Sequence, residues 1–104
     1  MSNYGWIIDW GNPNIGLEDE KDTVGPRDIS PQLEAQLNNN EGEAFQLYDD
    51  DDELYYYGRI VGDYEGFEPL DDWGTPNAGC SYIKYKDDTG NWVLFCVVYP
   101  IKTK

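Results

Sequence analysis

An unbroken run of five acidic residues, Asp49 to Glu53, separates two segments in which apolar and polar residues alternate. The segment before the run reads FQLY, and the segment after it reads LYYYGRIV. Alternation with a period of two residues favours half-buried β-strands, and a charged run between two such strands favours a solvated turn. The chain therefore predicts an antiparallel hairpin with the acids at its tip, which restricts the fold more than any other feature.

This hairpin should have one face that belongs to the core. If Tyr48 pairs with Glu53 across the four-residue loop Asp49 to Asp52, the side chains separate onto two faces. The residues expected on the core face are Phe45, Leu47, Leu54, Tyr56 and Ile60. Those expected on the opposite face are Gln46, Tyr55, Tyr57, Arg59 and Val61.

A strand and a helix are predicted before the hairpin. The segment YGWIIDW, residues 4–10, is rich in aromatic and β-branched residues and stops at a Gly-Asn-Pro turn, which indicates a strand. Ser30 and Pro31 suit the N-cap and the first position of a helix, and Leu33 and Leu37 lie on one apolar stripe. That helix should have about two turns.

A second hairpin is predicted near the end of the chain. The segments CSYIKYK and NWVLFCVVY flank Asp87-Asp88-Thr89-Gly90, which favours a turn with Asp87 opposite Asn91. Residues 92–99 are apolar on both faces and indicate a central strand. In this register Cys80 and Cys96 are diagonal neighbours near the limit of disulfide reach, so a bond between them is possible but not favoured, and a shift of one residue would put them on opposite faces.

The remaining residues, 11–29 and 62–79, are predicted to form two long loops. The second loop should be pinned to the core by Phe67, Leu70 and Trp73. The order of elements predicts an α+β fold, a mainly antiparallel β-sheet of about five strands in two hairpins with one short helix. With 104 residues, the chain should form a single acidic domain, 1–104.

The distribution of charge limits the kinds of partner. Residues 1–83 hold 19 acids against three bases, whereas residues 84–104 hold two acids and four bases. The formal net charge of −14 disfavours direct contact with nucleic acid or with an anionic membrane and favours a basic protein partner. No apolar run would span a membrane and no secretory signal is apparent, so we expect a cytoplasmic location with reduced cysteines.

Catalysis and cofactors are not expected. The chain has no histidine, its two cysteines are too few for a zinc site, and no spacing singles out a pair of carboxylates as acid and base. The acid run does not match an EF-hand loop, because Leu54 stands where that loop has glycine and Ile60 where it has a bidentate acid. A looser Ca²⁺ or Mg²⁺ site at the acid run or at Asp71-Asp72 is a third interpretation of the chain.

Three segments carry a resemblance to a known family: YGWII, GPRDISPQLE and FQLYDDDDELYYYGRIVGDYEGFEPLDDWGTPNAGCSYIKYK. They resemble a family of small acidic proteins, mostly uncharacterised, from bacteria and their phages or prophages. The resemblance covers most of residues 4–86, and PLDDWGTPNAGC is its most specific stretch. It implies association with phages or mobile elements, and it implies no activity and no catalytic residues.

The favoured hypothesis is an inhibitor that imitates DNA and blocks the basic nucleic-acid groove of another protein. Carboxylates at positions i and i+2 of a strand lie about 7 Å apart, which resembles the spacing of phosphates along one strand. The resemblance suggests a host defence nuclease as target, such as a CRISPR effector or a restriction enzyme. The expected partner-binding residues are Asp49, Asp50, Asp51, Asp52, Glu53, Tyr55, Tyr57, Asp63, Glu65, Asp71 and Asp72, with Glu18, Asp19 and Glu20 in support.

Two other interpretations stay open. Tyr55 and Tyr57 would either form a binding hot spot ringed by carboxylates or simply cover the second face of the sheet. The chain as a whole could also be an accessory or structural module, a homodimer through residues 92–99, whose acidity serves only solubility.

Overall fold

Within residues 1–96, the part of the chain that the structure describes, a computed structural model shows one antiparallel sheet of six strands and two short α-helices. The elements are β1 (Tyr4–Gly11), β2 (Val24–Gly25), α1 (Pro31–Asn38), β3 (Glu43–Tyr48), β4 (Leu54–Gly62), α2 (Thr75–Ala78), β5 (Tyr82–Lys86) and β6 (Trp92–Leu94). The strands lie in the order β2-β1-β4-β3-β5-β6. The predicted α+β class is confirmed, with one strand more than expected and with a second short helix, α2, inside the predicted loop 62–79.

The first hairpin forms as predicted, but its register differs. Tyr48 pairs with Leu54 instead of Glu53, so the tip contains all five acids, and the Asp49 N–H donates to the Glu53 carbonyl at 3.1 Å. A β-bulge at Tyr55 accommodates the extra residue of β4. A bulge changes which way the neighbouring side chains point. The four-residue loop was therefore wrong by one residue.

The bulge also corrects two side-chain assignments. Tyr55, which the alternation placed opposite the core, packs against the core cluster. Leu54, which was expected in the core, lies opposite Tyr48 and is only partly buried. Both corrections have one cause, since an inserted residue reverses the alternation on its far side.

The core lies mainly on one face of the sheet. Aromatic and aliphatic side chains from β1, β3, β4 and β5 form it, together with two residues of the segment between β4 and β5, which contains the predicted second loop; the cluster is Trp6, Ile8, Phe45, Leu47, Tyr56, Ile60, Leu70, Cys80, Ile83 and Tyr85. The predicted anchors of that segment are confirmed, because Leu70 is buried and Phe67 and Trp73 pack against the cluster. Leu70 begins a short π-helix, Leu70–Gly74, which leads into α2.

Helix α1 covers part of the opposite face. The Ser30 hydroxyl accepts a hydrogen bond from the Leu33 N–H at 3.2 Å, and Pro31 occupies the first turn, as predicted. Leu37 is fully buried in a second cluster with Ile7 and Val61. Because α1 contacts β1 and β4, the outer half of this face, on β3, β5 and β6, is left without a helix in the described part of the chain.

The predicted loop 11–29 contains regular structure. It includes two 3₁₀ helices, Pro13–Ile15 and Glu18–Glu20, and the two-residue strand β2 that pairs with β1. The Asn12 side chain holds the start of this segment by accepting from the Asn14 N–H and donating to the Leu54 carbonyl. The pairing of β2 with β1 could not be predicted, because residues 11–29 show no regular alternation of apolar and polar residues.

The second hairpin keeps its predicted register but not its predicted place. The Asp87 N–H donates to the Asn91 carbonyl at 2.8 Å, and Gly90 has a φ of 87°. Strand β6 pairs with β5 at the edge of the sheet, and Val93 and Leu94 are 42% and 54% exposed. The prediction of a central strand is therefore wrong for residues 92–94, residues 95–96 lie beyond the end of β6, and residues 97–99 lie outside the described part. None of the described helices is long and apolar enough to cross a membrane.

Both cysteines are free thiols in very different surroundings, which allows a direct test of the core. Cys80 is 2% exposed and burial raises its pKa to about 12, whereas Cys96 is exposed. At about pH 8, we expect an aromatic disulfide reagent to modify one thiol per native chain quickly and the second only after unfolding, because the thiolate is the reactive form.

The variant Cys96→Ser is the control for this experiment and should abolish the fast reaction. Two fast thiols in the native protein would contradict the buried position of Cys80.

Candidate protein-binding surface

The predicted acidic residues lie at two ends of the sheet. The run Asp49 to Glu53 precedes β4, whereas Asp63 and Glu65 follow it. A strand of nine residues separates the two groups, which places them about 30 Å apart. The structure therefore places the predicted partner-binding acids in two clusters.

The first cluster, called the tip cluster here, consists of Asp49 to Glu53 and the acids of the nearby 3₁₀ helix Glu18–Glu20. That helix follows the end of β1 that pairs with Tyr56, next to the hairpin tip. Asn77 of α2 donates a hydrogen bond to the Glu20 carboxylate at 3.0 Å. The supporting residues of the sequence prediction thus lie at the same end of the sheet as the acid run.

Two acids of the tip are engaged within the protein. The Asp49 carboxylate accepts hydrogen bonds from the N–H groups of Asp51 and Glu53, each at 2.9 Å. These backbone donors, that of Glu53 first, lower the pKa of Asp49 and hold it ionised. Asp50 accepts from the Ser81 hydroxyl. The carboxylates of Asp51, Asp52 and Glu53 are exposed and available to bind a partner.

The second cluster, called the far cluster, contains two glutamates that sequence reasoning missed. The Tyr64 hydroxyl donates to Glu43 at 2.5 Å, and Glu68 accepts from the N–H groups of Glu65 and Gly66 at 2.8 Å. Burial and then the Glu43 carboxylate raise the pKa of Tyr64. The hairpin itself carried a signal for Glu43, because antiparallel pairing brings the start of β3 beside the end of β4.

Asp71 and Asp72 complete the far cluster. Asp72 accepts from the Tyr4 hydroxyl at 2.7 Å and from the Trp6 indole N–H at 3.2 Å, and Tyr4 pairs with Gly62 at that end of the sheet. Burial, and then this contact with Asp72, raise the pKa of Tyr4. Asp71 is exposed. Asp72 is therefore both an anchor of its segment and part of the anionic surface.

The two tyrosines singled out by the sequence do not form one pair. Tyr57 is 42% exposed and stacks on Trp10 with 5.2 Å between ring centroids. The Tyr55 ring packs against the core, and burial followed by the nearby Asp49 carboxylate raises its pKa. Only Tyr57 is thus placed to contact a partner through its ring.

The side chain of Lys84 lies on the same open face as Tyr57. Its ammonium is 4.5 Å from the centroid of the Tyr48 ring, which stacks on Tyr82. A cation held over an aromatic face is stabilised by the ring quadrupole. This face is therefore aromatic with a cationic centre, unlike the anionic ends of the sheet.

Two of the three bases of residues 1–83 form ion pairs within the protein. Arg59 donates to both carboxylate oxygens of Asp9, at 2.7 and 2.9 Å, and the Lys21 ammonium lies 3.7 Å from Asp22. Neutralisation of the acidic ends therefore depends on a partner or on counterions. Residues 1–96 contain no group of three or more acidic or cysteine side chains arranged to hold a metal ion.

Comparison of the chain with protein-family models, with curated proteins and with solved structures finds no match.

Proposed function

We propose that this protein is an acidic inhibitor that occupies the basic nucleic-acid groove of another protein. The observation that carries the proposal is the pair of exposed carboxylate clusters at opposite ends of one sheet, about 30 Å apart. The acids lie mostly in turns and short helices at the two ends of the sheet, and hydrogen bonds to the Asp49 and Glu68 carboxylates order two of these turns, so less conformational entropy is lost when a partner binds.

The spacing suits a protein that replaces a duplex. Phosphates of one DNA strand return to the same side of the duplex after a helical turn of about 34 Å. The tip cluster and the far cluster would substitute for two such groups of phosphates, with exposed acids including Asp51, Glu53, Asp63 and Glu65. A groove that binds a duplex carries lysine and arginine side chains along its length. With the inhibitor in place of the duplex, these side chains would contact both clusters at the same time.

The mechanism is competitive exclusion. Complementary charge accelerates the first encounter and makes binding sensitive to salt, and the bound inhibitor then prevents DNA from entering the groove. The resemblance to phage-associated proteins favours a host defence nuclease, a CRISPR effector or a restriction enzyme, in the cytoplasm of the infected cell. No catalytic residue or cofactor takes part.

The proposal is tested with charge-reversed variants of each cluster. The tip variant is Asp51→Lys with Glu53→Lys, the far variant is Asp63→Lys with Glu65→Lys, and the control, on helix α1, is Gln32→Lys with Glu34→Lys, all at exposed positions. Proteins captured from a bacterial lysate at low salt are identified, and the affinity of the captured nucleic-acid-binding protein is then measured with and without duplex DNA.

We expect the tip variant and the far variant each to bind about tenfold more weakly or worse, because close charge pairs couple strongly. The control variant should bind with the affinity of the unmodified protein. Duplex DNA should displace both of these proteins from the partner. Unchanged affinity of both cluster variants, or simultaneous binding of DNA and inhibitor, would contradict the proposal.

A second candidate function is an accessory module that forms a homodimer through β6. The observation that favours it is the edge position of β6 with its exposed Val93 and Leu94. An uncovered edge strand can pair with another chain. Light scattering measures the molar mass of the unmodified protein and of Leu94→Glu. A dimer that forms through β6 should become a monomer in Leu94→Glu, because the new charge lies in the interface, whereas a monomeric unmodified protein would contradict this function.

A further inference from the structure

The open face of the sheet, on β3, β5 and β6 opposite the core, belongs to neither acidic cluster. In the described part of the chain no helix covers it. Its side chains come from alternate positions of the paired strands and are Gln46, Tyr48, Tyr82, Lys84, Lys86 and Leu94. Two lysines lie over aromatic rings here, so this surface differs in chemistry from the anionic ends of the sheet.

Lys84 lies at the middle of the sheet, between the two acidic clusters. It pairs with Gln46 of β3. Gln46 is three residues from Asp49 of the tip cluster and three residues from Glu43 of the far cluster. Three residues of a strand span about 10 Å in each direction. The charges along this part of the sheet therefore follow the order anionic, cationic, anionic.

Aromatic rings hold the Lys84 ammonium in place. The ammonium is 4.5 Å from the centroid of the Tyr48 ring and 5.8 Å from that of Tyr82. The Tyr48 hydroxyl donates to the Gln46 amide oxygen at 2.7 Å, which fixes the ring. Asp52 lines the same shallow hollow of about 290 Å³, yet no carboxylate of residues 1–96 lies within 4.0 Å of the ammonium. A cation that is already positioned loses little conformational entropy when it binds an anion.

This order of charge does not suit a groove that is basic throughout. Lys84 would face lysine and arginine side chains there, and like charges that are brought together in an interface cost several kcal/mol. A complementary partner is basic at both ends and carries carboxylates between them. Proteins that cleave nucleic acids with Mg²⁺ have this order, because carboxylates hold the metal ion within a groove that binds phosphates.

We infer that the open face is turned into the partner's groove and that Lys84 pairs with the carboxylates that hold Mg²⁺ in a metal-dependent nuclease. This role of Lys84 rests on the proposed function, and it narrows the partner to a protein with a metal centre between basic walls. The ammonium replaces the positive charge of the metal ion, while the tip cluster and the far cluster bind the walls. Tyr57, which is 42% exposed and pairs with Gln46, adds contact area on the same face.

Three variants test the charge of Lys84. Lys84→Met removes the ammonium, and Lys84→Arg keeps a cation at the same position. The matched control is Lys86→Met, which removes the other cation that lies over a ring of the open face, at the end of β5. Their affinities for the nucleic-acid-binding protein captured from the lysate are measured with EDTA and with Mg²⁺ at equal ionic strength. The tip variant and the far variant are measured beside them.

We expect Lys84→Met to bind about tenfold more weakly or worse in EDTA, whereas Lys84→Arg should keep most of the affinity. The direction of this change identifies the chemistry of the partner, because removal of a cation makes the protein more anionic and would strengthen binding to a uniformly basic groove. Lys86→Met should bind at least as tightly as the unmodified protein. Mg²⁺ should weaken binding of the unmodified protein more than that of Lys84→Met, because the metal ion and Lys84 compete for the same carboxylates.

An affinity of Lys84→Met equal to or higher than that of the unmodified protein would overturn this role of Lys84. The same effect of Mg²⁺ on both proteins would overturn it too, and so would equal losses in Lys84→Met and Lys84→Arg, which would indicate packing and not charge. If the tip variant and the far variant lose affinity in these cases, the proposed function stands alone. Equal affinity of all variants, or capture of no nucleic-acid-binding protein, would overturn both.

Discussion

Replacing Gly58 with alanine should lower the free energy of unfolding by about 3 kcal/mol or more. Gly58 lies in β4 between β1 and β3, where a Cβ atom would come closer than 3.0 Å to the Ile7 carbonyl oxygen and to the Phe45 ring. The first of these atoms belongs to the backbone of the paired strand and cannot move without opening the sheet. Chemical denaturation followed by circular dichroism measures the loss.

The matched control is Gly16→Ala. Gly16 has open space around its Cα, but its φ of 76° is left-handed, so alanine there should cost only about 1–2 kcal/mol. A Gly58→Ala protein as stable as Gly16→Ala would show that β1 and β4 are not as close at this point as the structure describes.

Replacing Arg59 with methionine should lower the free energy of unfolding by about 2 kcal/mol. Arg59 connects three elements, because its guanidinium binds the Asp9 carboxylate and also donates to the carbonyls of Leu37 and Glu41 at 2.9 and 2.8 Å. The side chains of Arg59 and Asp9 are only 16% and 28% exposed. Methionine keeps the apolar stem but leaves Asp9 and the end of α1 without their donor.

The comparison for Arg59→Met is Lys21→Met, which breaks a largely exposed ion pair with Asp22 and should have almost no effect on stability. Equal midpoints of urea denaturation for the two variants would be inconsistent with the bridging role of Arg59. A further distinction is hydrogen exchange, since loss of Arg59 should increase exchange of the last turn of α1 more than that of β3.

Local signals in the chain were sufficient for much of the fold. Ser30 and Pro31 mark the start of α1, and the acid run marks the tip of the first hairpin, because caps and turns involve residues only a few positions apart. The Asp87–Asn91 turn was predicted for the same reason. The bulge at Tyr55 was not predicted, because the alternation of apolar and polar residues in one strand does not show whether that strand has one residue more than its partner.

The sequence predicted which acids of the candidate surface are exposed, but it did not predict how all of them group in space. The sequence indicated that Asp51, Glu53, Asp63 and Glu65 are exposed, and all four are. The predicted hairpin implies that the acids before and after β4 lie at opposite ends of the sheet, and it carried a signal for Glu43, but no local signal indicated that Glu68 joins the far cluster. Apolar character on both faces suggested a central place for residues 92–99, whereas β6 is an edge strand in the described part of the chain.

The sequence by itself determined the anionic character, the two hairpins and the capped helix, because these follow from charge and from the periods of neighbouring residues. Only the tertiary structure decided the strand order, the edge position of β6 in the described part of the chain and the addition of Glu68 and Asp72 to one acidic cluster. These features join residues far apart in the chain, and they follow from how the apolar faces of separate elements pack against each other.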